Sequence, residues 1–109
     1  MTDSDSAIPT LGVVEHDYLR CRVDGTTLVF VGEADMMTMD TITASVDEAP
    51  PAGDLTFDLS GVTFMDSSGL RALLDARSRL VAEGRRILID GCSRPVERLL
   101  EITGVRELF

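Results

Sequence analysis

The chain has no tryptophan, one tyrosine, one histidine and two cysteines among its 109 residues. Cys21 and Cys92 are too few and too far apart for a zinc site or a disulfide scaffold. Each sits in or beside an apolar run, which predicts two reduced, buried thiols acting as small hydrophobes. His16 alone builds no metal cluster, and no cofactor-binding motif is present. Basic side chains are also scarce: ten against nineteen acidic ones give a net charge of −9. That balance repels phosphate backbones and anionic lipid, so nucleic acid and membrane surfaces are excluded as partners. It keeps the chain soluble, or steers it towards a basic protein surface. No apolar stretch is long enough to span a bilayer. Met1–Ser6 is acidic and lacks the basic-then-apolar layout of a secretory signal, so a cytoplasmic protein is expected.

What is present fits one α/β domain with a single core. Residues 1–15, with Pro9 and Gly12 among small and acidic residues, read as a flexible lead, and 16–109 as the folded domain. Tyr18–Val23 alternates apolar and basic residues as a strand does, Asp24-Gly25 signals a tight hairpin, and Thr26–Val31 follows as a more apolar strand ended by Gly32. Thr38 is placed to cap a helix over roughly 39–48, with Ile42 and Val46 as its buried stripe. Pro50-Pro51-Ala52-Gly53 breaks the chain before a third strand, Asp54–Leu59, and Gly61–Asp66 reads as a loop. A second helix is expected from about Ser68 to Glu83, with Leu70, Leu73, Leu74, Arg77, Leu80 and Val81 on one face and Gly84 at its C-terminal stop. Arg85–Asp90 reads as a fourth strand. Pro95 opens a third helix carrying Val96, Leu99, Leu100 and Thr103 on one stripe, Gly104 ends it, and Val105–Phe109 is left for a short last strand. The order β-β-α-β-α-β-α-β predicts parallel strand–helix–strand units with an antiparallel opening hairpin, and so a mixed sheet with helices packed on it.

The chemistry concentrates at Val62–Leu70, where an acidic residue and two hydroxyls fall at a strand-to-helix handover. A helix N-terminus presents unpaired N–H groups and partial positive charge. Ser67 or Ser68 therefore either caps the helix or carries an added phosphate, and Asp66 is a second candidate cap. Gly69 allows close approach near the helix start. Met36 and Met37 offer an adaptable apolar patch, of which one is expected to belong to the core. Arg71 either contacts a partner or pairs with Asp75 on a solvated face.

Phe64-Met65-Asp66-Ser67-Ser68-Gly69-Leu70, after a strand and opening a long helix, resembles the signature of the STAS domain and is similar to that of bacterial anti-sigma factor antagonists. Gly32-Glu33-Ala34-Asp35, Ser93–Leu100 and Thr103-Gly104 extend the likeness over about Tyr18–Phe109. The resemblance implies that Ser67 is the phosphorylated residue and Asp35 the acidic residue of the Gly-Glu-x-Asp turn. Asp35, Met36, Met37, Asp66, Ser67, Ser68, Gly69, Leu70 and Arg71 then form the partner-binding surface. It also implies a partner anti-sigma factor with a histidine-kinase-like ATPase fold that phosphorylates Ser67, and a metal-dependent serine phosphatase that reverses the mark. The unphosphorylated form would bind the kinase and free the sigma factor; apart from the resemblance, a small acidic monomer is the default expectation. Ala34 stands where the family usually has a larger aliphatic residue, which would thin the packing beneath that turn. The chain also stops at Phe109, where the family commonly continues into a further helix.

Two other functions fit the same pattern: a STAS subunit of a lipid-transport complex that binds an ATPase without a reversible phosphate, and a nucleotide or redox sensor working through Cys21 or Cys92. An enzyme is not expected. A serine nucleophile needs a base, the lone His16 lies near the lead, and the Gly-x-Ser-x-Gly elbow of hydrolases is missing.

Overall fold

A computed structural model describes residues 12–109. Its elements are β1 (Gly12–Glu15), β2 (Leu19–Asp24), β3 (Thr27–Ala34), α1 (Met39–Glu48), β4 (Leu55–Met65), α2 (Ser67–Ala82), β5 (Ile87–Cys92) and α3 (Arg94–Thr103), closed by a 3₁₀ turn at Arg106–Leu108. The strands form one sheet in the order β1-β2-β3-β4-β5. β1, β2 and β3 pair antiparallel, and β3, β4 and β5 pair parallel. The expected single α/β domain with a mixed sheet is what forms.

Alternation fixes which face of the sheet is covered. Leu19, Cys21 and Val23 of β2, Leu28 and Phe30 of β3, and Leu55, Phe57 and Leu59 of β4 are all buried. Phe30 and Phe57 meet at the centre with ring centroids 5.2 Å apart. Ile42 and Val46 of α1, Leu70, Leu73 and Leu80 of α2, and Val96 and Leu100 of α3 complete the same core. The intervening residues Arg20, Arg22 and Val31 are exposed, so the helices lie on one face and the other is open to solvent.

Several expectations need correction. β1 begins inside the stretch read as a flexible lead, pairing Val13 with Arg22 and Val14 with Cys21, and the rest of that lead lies outside the described residues. Its four residues are too few for a periodic signal. The hairpin loop is Gly25-Thr26, since Asp24 still pairs with Thr27. β3 continues past Gly32 to Ala34. The supposed loop Gly61–Asp66 is strand as far as Met65. β4 carries two extra residues against β3: Val29 and Val31 oppose Asp58 and Gly61, and Gly32 and Glu33 oppose Val62 and Phe64. These bulges break the two-residue alternation that a strand is recognised by. The fourth strand is shifted two residues along, to Ile87–Cys92. On α2, Val81 is exposed while Ala72 and Ala76 are buried. On α3, Thr103 is exposed. The expected last strand is the 3₁₀ turn, because its backbone closes on Val105 and Arg106 rather than on the sheet.

The two ends of the sheet differ. At the end where β4 and β5 begin, Arg85 is almost buried. Its guanidinium donates to the carbonyls of Gly53 and Pro50 at 2.7 Å each and pairs with Glu83 at 2.8 Å. At the opposite end β3 and β4 terminate side by side, Ala34 against Met65, while β5 stops earlier, with Cys92 against Leu59. In open α/β sheets this carboxyl edge is where sites form.

Candidate functional site

At that edge β3 passes into a tight turn. Gly32 has φ of +127°, and a Cβ there would overlap the Tyr18 carbonyl oxygen, which accepts a hydrogen bond from Glu33 N–H at 2.7 Å. His16 belongs to the neighbouring β1–β2 turn, where its Nδ1 accepts from Tyr18 N–H at 3.1 Å. Thr38 is fully buried. It stands at the N-cap position of α1, as expected, yet its hydroxyl caps nothing there. Instead Thr38 Oγ1 accepts from Asp35 N–H at 2.9 Å and donates to the Glu33 carbonyl at 2.8 Å. Asp35 Oδ1 accepts from Met37 N–H at 2.9 Å. The turn is thus closed by its own side chains, and Met36 and Met37 are thrown outward, 73% and 68% exposed. Neither belongs to the core.

The second half of the site is the start of α2. Asp66, in extended conformation, is its N-cap: Oδ1 accepts from Ser68 N–H at 2.9 Å and Gly69 N–H at 3.1 Å, and its carbonyl accepts from Leu70 N–H at 2.9 Å. The carboxylate therefore fills the capping role for which a serine was the other candidate. Ser67 is the first helical residue and is exposed, and among the described residues its hydroxyl makes no hydrogen bond. Ser68 is half-buried, while Gly69 and Leu70 are buried. Arg71 is exposed, 4.0 Å from the Asp75 carboxylate, which is the solvated-pair arrangement.

Two contacts join the halves. Asp66 N–H donates to the Ala34 carbonyl at 3.2 Å. A Cβ on Gly69 would overlap that carbonyl oxygen and stand 2.9 Å from the Ala34 side chain. Ala34 is 1% exposed and the helix start closes directly onto it, while a small apolar void remains beneath, lined by Ala34 with Leu19, Phe30, Ile42, Met65 and Leu73. Asp35, Met36 and Met37 thus present themselves on the same edge as Asp66 and Ser67.

The cysteines are not part of this site. Cys21 is fully buried, and burial pushes its thiol up to about 11. Cys92 is half-buried, and burial, with Glu97 nearby, pushes it up to about 11 as well. A reactive thiolate is favoured by the opposite shift. Among the described residues no group of His, Cys, Asp and Glu is arranged to hold a metal ion, and no helix is long and apolar enough to cross a membrane.

Comparison with known proteins agrees with this architecture. The family model described as "Mlab, STAS domain" matches residues 18–109. The anti-sigma F factor antagonist of Paenibacillus polymyxa is 31% identical over 81 residues, spanning 72% of this chain and 69% of that protein. Among solved structures, the unphosphorylated anti-sigma factor antagonist SpoIIAA superimposes with a TM-score of 0.63 at 21% identity, covering 91% of this chain and 84% of that one. An anti-sigma factor antagonist from Mycobacterium paratuberculosis superimposes with a TM-score of 0.58 at 30% identity, covering 92% and 81%. The chain belongs to the STAS domain family of anti-sigma factor antagonists.

Proposed function

We propose that this protein is a binding module switched by phosphate at Ser67. Its unphosphorylated form binds an anti-sigma factor with a histidine-kinase-like ATPase fold and thereby frees the sigma factor. That kinase phosphorylates Ser67, and a metal-dependent serine phosphatase resets it. The observation that carries the reading is the division of labour at the start of α2. Asp66 takes the capping hydrogen bonds, leaving the Ser67 hydroxyl exposed and unengaged at the head of a helix.

The same division explains why phosphate would act as an off-switch. Phosphorylation adds about 1.5 to 2 negative charges. The N–H groups of Ser68 and Gly69, which would otherwise receive them, are already held by Asp66, and the leading Asp66 carboxylate repels them. The dianion therefore stands outward in a protein of net charge −9. A partner surface shaped to a neutral serine would have to desolvate it, at a cost of several kcal/mol. At about 1.4 kcal/mol per tenfold, this separates a bound complex from a free one without refolding.

The test is a pull-down with wild type, Ser67→Ala and Ser67→Glu as baits, read by mass spectrometry. Capture of a histidine-kinase-like ATPase protein by Ser67→Ala and not by Ser67→Glu is the expected result. Capture of a transport ATPase equally by all three baits would replace the reading with that of a transport subunit.

A further inference from the structure

The second bulge of β4 has an effect beyond local register. It turns two successive residues, Thr63 and Phe64, towards solvent before Met65 returns to the core. Bulges re-aim side chains in this way. Phe64 is left 47% exposed, facing α3, whose Ile102 is 75% exposed. Between them lies an open groove of about 400 Å³, lined also by Met65, Pro95 and Leu99. Its remaining wall is basic: Arg94 and Arg98, one helical turn apart, both line it. Neither has a carboxylate within 4.0 Å among the described residues, which is also true of Arg20, Arg22 and Arg77, and on their other side both border a cleft shared with Glu97 and Glu101.

The slot sets apolar side chains beside two arginines on a chain of net charge −9, as does the groove of Val13, Val29, Val31, Arg20 and Arg22 on the open face of the sheet, but only the former adjoins the head of α2. Arginine and aromatic residues around a desolvated pocket are also what interface anchors are made of. The groove is continuous with the switch, since Phe64-Met65 leads directly into Asp66-Ser67. A stable interface needs on the order of 800 Å² per partner, so contact at Ser67 is expected to extend onto neighbouring surface.

We propose that this groove is a second anchoring surface for the protein that engages Ser67, and that it takes an acidic, amphipathic segment. An apolar side chain of that segment fills the slot between Phe64 and Ile102, and flanking carboxylates pair with Arg94 and Arg98. This rests on the switch reading above, and extends the contact from the head of α2 along α3.

The test uses the full chain and the purified anti-sigma protein recovered with the Ser67→Ala bait, titrated calorimetrically. Ile102→Asp and the double variant Arg94→Glu/Arg98→Glu are compared with Leu88→Ser, which lies on the open face of the sheet. Ile102 and Leu88 are exposed, so these variants should melt near wild type, and melting curves check all three. The expected result is at least a tenfold loss of affinity for each groove variant and none for Leu88→Ser. The arginine double variant should also lose much of the salt dependence of binding. Hydrogen exchange of the wild-type complex should show protection over Thr63–Met65 and α3. Groove variants within twofold of wild type, alongside abolished binding by Ser67→Glu, would overturn the proposal and leave the switch standing. Absence of any anti-sigma protein on the Ser67→Ala bait would overturn both.

Discussion

Gly69→Ala inverts a familiar rule. Gly69 lies in the first turn of α2 with ordinary helical backbone, so alanine should strengthen the helix by about 1 kcal/mol. The structure predicts the opposite sign. The added Cβ would overlap the Ala34 carbonyl oxygen and stand 2.8 Å from the carbonyl carbon. These are backbone atoms at the end of β3, and no rotamer change relieves the overlap. Either β3 or the head of α2 has to move. Overpacking of this kind costs about 1–3 kcal/mol. The displacement also weakens the Asp66 N–H bond to Ala34, worth about 1 kcal/mol. It further loosens the Asp66 cap, worth about another 1 kcal/mol. After the helix gain is subtracted, a net loss of about 2–4 kcal/mol remains, or roughly 10–25 °C in Tm. Urea denaturation followed by circular dichroism measures it, with Ser78→Ala, exposed on the same helix, as the control expected to be neutral or slightly stabilising. A Gly69→Ala protein as stable as wild type would refute the close approach and with it the coupling of the two halves of the site.

Other predictions follow from the same geometry. Asp66→Ala should lose about 1–2 kcal/mol, read by urea titration, and Asp66→Ser should recover part of it, because a hydroxyl also caps a helix. Cys21 should make stability fall at alkaline pH. Its thiol is held up in the folded state, so the contribution is complete below about pH 9, where the unfolded thiol ionises, and is lost as pH climbs towards about 11. That amounts to about 2–3 kcal/mol. Urea titrations at about pH 8 and about pH 10.5 should show a smaller fall for Cys21→Ala than for wild type. A thiol reagent on the native protein should label Cys92 before Cys21.

The helices were legible in the sequence because their signals are long and redundant. Leu70, Leu73 and Leu80 repeat at helical spacing, and Gly84 and Gly104 adopt the left-handed conformation that ends a helix. The strands were less legible where pairing overrides alternation. β4 reads as a strand and then a loop because its two extra residues exist only relative to β3, and a single chain carries no trace of its neighbour's register. β1 is four residues held by β2. The last five residues have strand-like composition but join no strand among the described residues. At the site, the residues of the Asp66–Gly69 string stood out, but their roles depended on tertiary contact. That Asp66 and not a serine does the capping, and that Thr38 closes the Asp35 turn instead of capping α1, follows from hydrogen bonds. The groove had no sequence signal, because Phe64 faces outward only through the bulge.

The Arg85 clasp has a consequence for how such a domain can change. It ties the segments entering β4 and β5 to the end of α2, using carbonyls of Pro50 and Gly53, at the pole farthest from Ser67. The clasp lies at one pole and the proposed recognition surface at the other. Side chains such as Met36, Met37, Phe64, Arg98 and Ile102 can then be exchanged for new partner chemistry without touching what holds the sheet and helices in register. A redesign that left Arg85 and its acceptors alone would have a free hand at the opposite pole, whereas a change at Arg85 would take the donor from the Pro50 and Gly53 carbonyls and untie the segments entering β4 and β5.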